Sequence, residues 1–310
     1  MIILGRKYKF TQLELARLTK KFVNIKTIKY TNRPECEVLD ELRQSVKSKD
    51  FNLLVLNTKA KIGDEIIKCI TKMQFEKDKK FQIITIETFL ETYLQKCFVP
   101  DDHSNLDFLA EIKPFGFWQY FTKRTIDIIG VVLFAALTWP VMIYARLRIK
   151  KESPGTSMFK QLRVGQNNEE FTCVKFRSMY LDAEVNGAQF ASQNDPRVFQ
   201  WGEFMRKTRI DELPQMLNVL RGDMHFIGPR PERKVWTDKF ELQIPYYAER
   251  HLVKPGITGW AQVMYPYGAN AEDAKQKLMY DLYYIKHWSI ILELKVIWKT
   301  ILVVVGKKGV

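Results

Sequence analysis

The chain has 310 residues, 46% of them hydrophobic and 27% charged. That length holds two domains with a core in each, and that composition excludes a disordered polymer. A formal net charge of +14 calls for a polyanionic or phosphorylated partner: nucleic acid, an anionic membrane surface, or a small phosphate substrate. No zinc-finger spacing or aromatic-basic RNA-binding motif is present, which argues against nucleic acid. Cys36, Cys69, Cys97 and Cys173 are scattered without a C-x-x-C pair, as reduced cytosolic thiols are. The apolar run at Met1 is too short for a secretory signal, so the catalytic part is expected to face the cytoplasm.

In chain order, short apolar runs at 2–4, 24–28, 52–56 and 82–86 read as strands. Amphipathic stretches at 12–22, 37–47, 64–73 and 87–94 read as helices between or after them. This alternation predicts an α/β fold, a Rossmann-like parallel-sheet module over residues 1–97. Only Gly5 follows the first strand, so the dinucleotide fingerprint is absent, and a regulatory or interaction module is the expectation. Residues 98–118, with Pro100 and Pro114, read as a linker.

Residues 128–145 form a charge-free apolar run within a helix expected over 119–151. At about 18 residues it is near the lower limit for crossing a bilayer. Two features oppose a simple crossing. Pro140 removes a helix hydrogen bond and kinks the axis. Basic residues flank both ends, Lys123 and Arg124 before it, then Arg146, Arg148, Lys150 and Lys151 after it. Positive charge favours the cytoplasmic side, so a re-entrant helix that bends at Pro140 and returns is expected. A bitopic span and a buried core helix are the alternatives. Each basic residue near an anionic leaflet adds about 1 kcal/mol of attraction, so anionic lipids are expected partners.

Residues 152–310 read as a mainly helical α+β catalytic domain. The apolar tail from residue 289 to 305, with Trp288 and Trp298 and with Lys307 and Lys308 behind it, suits a helix in the headgroup region or one packed in the core. The richest chemistry lies between Arg206 and Pro231, where the Asp211-Glu212 pair stands between Arg206 and Arg230. A carboxylate can attack phosphorus or hold a divalent cation while guanidinium groups neutralise phosphate oxygens. Asp211 as a helix N-cap, with Pro214 in the first turn and a stop near Gly222, would aim free N–H groups at phosphate. In Gly228-Pro-Arg-Pro231, flanking prolines present Arg230 at low entropic cost. Lys254-Pro-Gly-Ile-Thr-Gly-Trp260 reads as a turn in which glycine permits positive φ. His225, His251 and His287 lack zinc-ligand spacing.

Taken in order, Lys-Arg-x-x-Asp at 123–127, the Pro-bearing apolar segment, Lys175-Phe-Arg-Ser-Met179 and Arg206-x4-Asp211-Glu212-Leu-Pro-Gln form a recognisable set. Asn218-Val-Leu-Arg-Gly-Asp-Met224, Gly228-Pro-Arg-Pro231 and Lys254-Pro-Gly-Ile-Thr-Gly-Trp-Ala-Gln262 complete it. From Phe121 onward the chain resembles the monotopic phosphoglycosyl transferases, the bacterial sugar transferases. The resemblance implies transfer of a sugar-1-phosphate from a UDP-sugar to polyprenyl phosphate, as an initiating step of surface polysaccharide or glycoconjugate synthesis. It implies the cytoplasmic face of the inner membrane, Mg²⁺ dependence, and a covalent phosphosugar intermediate on Asp211, which would also ligate Mg²⁺. Glu212 would be its partner. Arg206 and Arg230 match phosphate-contacting positions, as do, less closely, Lys175 and Arg177, with Gly228, Pro229 and Pro231 shaping the binding loop.

One departure stands out: Thr138-Trp139-Pro140 replaces the usual Ser-Pro at the membrane break, and Thr138 is expected to bond a freed carbonyl. The competing classes are a membrane-anchored, non-catalytic interaction protein and a glycosyltransferase that moves sugar without its phosphate, which would release UDP rather than UMP. Neither the sugar nor the oligomeric state is legible.

Overall fold

The computed structural model describes the chain apart from residues 48–50, 60, 76–80, 104, 105, 184, 186, 188, 190–194, 266, 267, 269 and 307–310. It divides into two compact units, Met1–Phe98 and Val99–Val310.

In the first unit, β1 (Ile2–Leu4), α1 (Gln12–Leu18), β2 (Lys26–Ile28), α2 (Glu35–Lys47), β3 (Leu53–Leu56), α3 (Asp64–Gln74), β4 (Gln82–Thr85) and α4 (Ile86–Phe89) follow one another. The strands form a parallel sheet in the order β2-β1-β3-β4. Ile2, Leu4, Ile28 and Leu54 pack with Val38 and Leu42 of α2 and with Ile66 and Ile70 of α3. Near-continuous apolar strands are what a parallel sheet covered by helices requires. The helix expected over 87–94 is present, but it widens to π-winding at Leu90–Leu94.

Sheets of this kind commonly receive phosphate at the N-terminus of the first helix. Here that position holds the chain's own carboxylate. Thr11 and Glu14 form a capping box, and Glu14 also accepts from the Tyr8 hydroxyl at 2.9 Å and from the buried Lys96 ammonium. Asn57, beyond β3, clamps the Tyr8 backbone through both ends of its amide, at 2.7 and 2.9 Å.

The second unit opens with α5 (Leu106–Glu111), within the stretch expected as a linker, where Phe108 and Ile112 are buried. Then comes α6 (Phe117–Glu152), the one helix among the described residues long and apolar enough to cross a membrane. Only 11% of its most apolar window is buried, whereas a core helix would be mostly buried. Helical hydrogen bonding continues through Pro140, since a single proline removes one bond and not the whole turn. The Thr138 hydroxyl donates to Phe134 O at 2.7 Å. It therefore reinforces its own i−4 carbonyl, not that of Ala136, the one Pro140 leaves without its i+4 donor.

Both ends of α6 pack on this same unit. Near the C-terminal end, Ala145 and Ile149 meet Phe176, Phe199 and Met205. Near the N-terminal end, Lys123 and Asp127 are fully buried. The Lys123 ammonium lies 2.8 Å from Glu293 Oε2 and 3.7 Å from Asp127 Oδ1. Asp127 accepts from the Phe226 N–H at 2.9 Å and lies 2.5 Å from His225 Nδ1. Glu293 Oε1 accepts from the Tyr284 hydroxyl and the Trp288 indole.

Beyond α6, β5 (Met158–Val164) and β6 (Glu170–Phe176) form an antiparallel hairpin. They are followed by α7 (Gln200–Thr208), α8 (Met216–Arg221), β7 (His225–Ile227), α9 (Lys234–Glu241), β8 (Gly256–Thr258), α10 (Trp260–Met264), α11 (Ala271–Lys286) and α12 (Ile290–Val305). Strands β7 and β8 pair in parallel. Helix α12 starts at Ser289, whose hydroxyl accepts the Leu292 N–H. It buries Leu292, Glu293 and Val296 while exposing Ile291, Leu294, Trp298 and Leu302. The expected Lys307 and Lys308 lie outside the described residues.

Replacing Lys123 by Met leaves the Glu293 and Asp127 carboxylates buried without their cation. Breaking such a pair costs about 3–5 kcal/mol. Thermal unfolding of the detergent-solubilised Lys123→Met protein is expected to show a midpoint well below that of the wild type.

Candidate active site

The site begins with a change of direction after α7. Arg209 closes that helix in the left-handed region, at φ 60° and ψ 17°. The next stretch, Ile210–Gln215, winds as a 3₁₀ helix before α8 starts. Asp211 is therefore not an N-cap, contrary to the sequence expectation. Pro214 supplies no N–H for an α-type bond to Ile210, so the turn tightens instead. Buried Asn218 fixes this turn to β6: its amide oxygen accepts the Val174 N–H at 3.0 Å and its amide nitrogen donates to Thr172 O at 2.7 Å. Gly222, at φ 91°, ends α8.

The second half of the site comes from two motifs that pack as one joint. A Cβ on Gly228 would lie 2.6 Å from Lys254 O, and one on Gly256 would lie 2.0 Å from Gly228 N. Gly228 N–H donates to Thr258 O, and Gly256 N–H donates to Pro229 O. The glycines in the Lys254–Trp260 stretch thus serve close backbone approach, and neither Gly256 nor Gly259 has positive φ. Pro231 is buried, and its carbonyl accepts from Arg163 at 3.2 Å. Gly228, Pro229 and Pro231 consequently shape the turn that carries Arg230 and offer no free N–H to a phosphate.

These elements enclose a cavity of about 200 Å³ lined by nine basic and three acidic side chains. Asp211, Glu212, Arg206, Arg230 and Lys175 all line it. Arg177 does not: its guanidinium donates to Ser153 and to the carbonyls of Thr156, Pro154 and Met179, clamping the chain where it leaves α6. Two further residues, the lining Arg209 and the neighbouring Gln262, hold the acidic pair and Arg230 in place. Arg209 donates to Glu212 Oε1 at 3.2 Å, and Gln262 holds Arg230 at 3.0 Å from the adjoining wall. Arg230 also donates to Glu212 Oε1, at 3.0 Å.

The two adjacent carboxylates live in different fields. Burial, and then the neighbouring charge of Glu212, push Asp211 up, against the pull of Lys175, Arg209 and Arg206. Burial would also raise Glu212, but Arg230 and Arg209 hold it well below the usual range. Arg230 in turn is raised, chiefly by Glu212, and stays charged. Burial lowers the Lys175 ammonium. Asp211 Oδ1 is buried with no hydrogen-bond partner. Glu212 is thus a fixed anion tied to arginines, and Asp211 is a carboxylate with a free oxygen in a basic, enclosed space.

Among the described residues, no group of three or more His, Cys, Asp or Glu gathers to hold a metal. Mg²⁺ needs no such cage, since it binds through one or two carboxylates plus waters and substrate phosphates. The unpartnered oxygen of Asp211 fits that demand.

The sequence profile of the bacterial sugar transferase family matches residues 118–307. The chain belongs to this family. Among curated relatives of this bacterial sugar transferase, the UDP-N-acetylgalactosamine-undecaprenyl-phosphate N-acetylgalactosaminephosphotransferase of Aeromonas hydrophila is 47% identical over 200 residues. The match covers 64% of this chain and 47% of the relative. The UDP-glucose:undecaprenyl-phosphate glucose-1-phosphate transferase of Escherichia coli is 39% identical over 181 residues, 58% of this chain and 39% of its own length. A putative undecaprenyl-phosphate N-acetylgalactosaminyl 1-phosphate transferase of Bacillus subtilis is 47% identical over 128 residues, 41% of this chain and 72% of its own. The chain spans less than half the length of the first two.

The backbone joint between the two motifs makes a direct demand on this sugar transferase. Gly228→Ala is expected to lower the thermal midpoint markedly, because its Cβ meets backbone and not a yielding side chain. Circular dichroism melting of the purified variant measures this.

Proposed function

We propose that the protein transfers a sugar-1-phosphate from a UDP-sugar to a polyprenyl phosphate and releases UMP. The observation that carries this reading is the unpartnered, buried oxygen of Asp211 beside an arginine-held Glu212 in a strongly basic cavity. The relatives named for N-acetylgalactosamine and for glucose support a hexose or N-acetylhexosamine as the sugar.

The donor's diphosphate lies among Lys175, Arg206, Arg209 and Arg230, whose charges neutralise its oxygens. Trp236, Phe240 and Tyr247 on the cavity wall offer aromatic surface to the base. An Asp211 carboxylate oxygen attacks the phosphorus that bears the sugar. The new O–P bond forms as the P–O bond to UMP breaks, and the electron pair leaves with UMP. An oxygen of the polyprenyl phosphate then attacks the same phosphorus. The bond to Asp211 breaks, the carboxylate is restored, and the product is a polyprenyl diphosphate sugar. When bound at Asp211, Mg²⁺ supplies further neutralisation of the diphosphate charge. Glu212 keeps Arg209 and Arg230 oriented throughout.

Helix α6 is read as entering the cytoplasmic leaflet of the inner membrane without crossing. The packing of both its ends on one unit supports this, since a spanning helix would separate them. Exposed apolar residues along α6 and α12 supply the contact with acyl chains, and the flanking basic residues face anionic headgroups. The reaction would begin assembly of a surface polysaccharide or glycoconjugate.

Purified protein given a UDP-sugar and no acceptor is expected to release about one UMP per chain as a burst, the sign of a covalent intermediate. Asp211→Asn is expected to abolish that burst. Release at the wild-type rate, or release of UDP, would overturn the assignment.

The pH dependence follows from the raised Asp211. A carboxylate whose pKa is raised loses its negative charge at higher pH than usual. The burst rate therefore falls on the acid side with a midpoint above the ordinary aspartate value of about 4. Glu212→Gln removes the neighbouring like charge, so this acid limb is expected to move to lower pH. A stopped-flow pH series on both proteins measures the displacement.

A further inference from the structure

A second cavity, of about 410 Å³, adjoins the polar one and has the opposite character. Phe134 and Val141 of α6, Val304 of α12, and Met216, Ile257 and Val263 between them contribute apolar wall. Arg209 and Glu212 line both cavities. One wall therefore separates a basic chamber from a greasy one, and Asp211 stands between the two residues that build it. The left-handed backbone at Arg209 holds that wall in place, and its guanidinium is tied to Glu212 at 3.2 Å.

We propose that the apolar cavity seats the first isoprene units of the lipid acceptor, with the acceptor phosphate at Arg209 on the shared wall. This rests on the phosphotransfer reading above and deepens it by giving the acceptor its own chamber. Three observations select that occupant. The cavity's largely apolar walls match a branched hydrocarbon better than a nucleotide. Its polar end is a cation beside the reacting carboxylate, as an amphiphile with an anionic head demands. Its side walls are α6 and α12, whose outer faces expose Leu133, Leu137, Ile301 and Leu302. A chain leaving between these helices enters the bilayer without crossing water. The acceptor's isoprene units are then held apart from the nucleoside pocket, and its phosphate takes the position opposite Asp211 that UMP vacates.

The test fills the cavity. Val263 is half-buried, lines the apolar cavity and is absent from the polar one. In Val263→Trp, KM for a long-chain polyprenyl phosphate is expected to rise about tenfold, the order of effect that losing buried methylene contacts produces. A water-soluble phosphate ester with a single isoprene unit is expected to lose much less. The acceptor-free UMP burst, measured in parallel, reports that the variant is folded and competent with donor. Where Val263→Trp gives no burst, Val304→Trp fills the cavity from α12 and serves the same comparison. An unchanged KM for the long acceptor in a burst-competent variant overturns the proposal and leaves the cavity to a bilayer lipid. Wild-type protein that gives no UMP burst with any UDP-sugar instead overturns the underlying function.

Discussion

Burying Lys123 at the centre of a carboxylate-lined cluster is the constraint on which the second unit depends. A charge taken from water costs several kcal/mol unless it is paired and its remaining hydrogen-bonding capacity is met. Here the pairing is shared across distant parts of the chain: Asp127 from the same helix, Glu293 from α12, and His225 and Phe226 from β7. None of these groups can shift without stranding another. The network therefore fixes α6 against α12 and sets the position of β7. Strand β7 leads into Gly228, and from there the glycine joint with β8 determines where Arg230 projects. The helices with exposed apolar faces and the cavity-lining arginine are thus parts of one frame.

Within that frame, two neighbouring residues of nearly the same chemistry are made unlike. Glu212 is held by Arg209 and Arg230 and stays an anion. Asp211 has burial and a like charge against it, with its cations at greater remove. Two carboxylates whose environments push their affinities for protons apart are suited to different tasks. The better-paired one organises cations. The poorly paired one is the nucleophile of the proposed mechanism, since its free oxygen has no hydrogen bond to give up before forming a bond elsewhere.

Much of this was legible from the sequence, and the exceptions have physical causes. The central strands β1 and β3 show as apolar runs because they are buried almost throughout, while the edge strands β2 and β4 keep polar, exposed residues. Asp211, Glu212, Arg206, Arg230 and Lys175 do converge on one cavity. Arg177 could not be separated from them, since a guanidinium bound to carbonyls and one facing a ligand have the same letter. Arg209 went unselected because its importance comes from a left-handed backbone that brings its side chain back over Glu212. The glycines of the Gly228 and Lys254 motifs were visible, but their reason was not, since a close approach between segments more than twenty residues apart leaves no local signal. Asp211 reads as a helix start because Pro214 fits the first turn of an α-helix as well as it causes the 3₁₀ winding found there.

The excess of cations in the polar cavity has a consequence beyond binding. Nine basic groups share the cavity with three carboxylates; several are ion-paired, and the cations left over repel one another in the empty protein. An anion that fills it removes that repulsion and stabilises the folded chain by mass action, by about 2.7 kcal/mol at a hundredfold excess over its dissociation constant. On the proposed function that anion is the donor, and its supply then bears on how long the folded chain survives surveillance by proteases as well as on how fast it works. Abundance and substrate level become linked through the electrostatics of a single chamber.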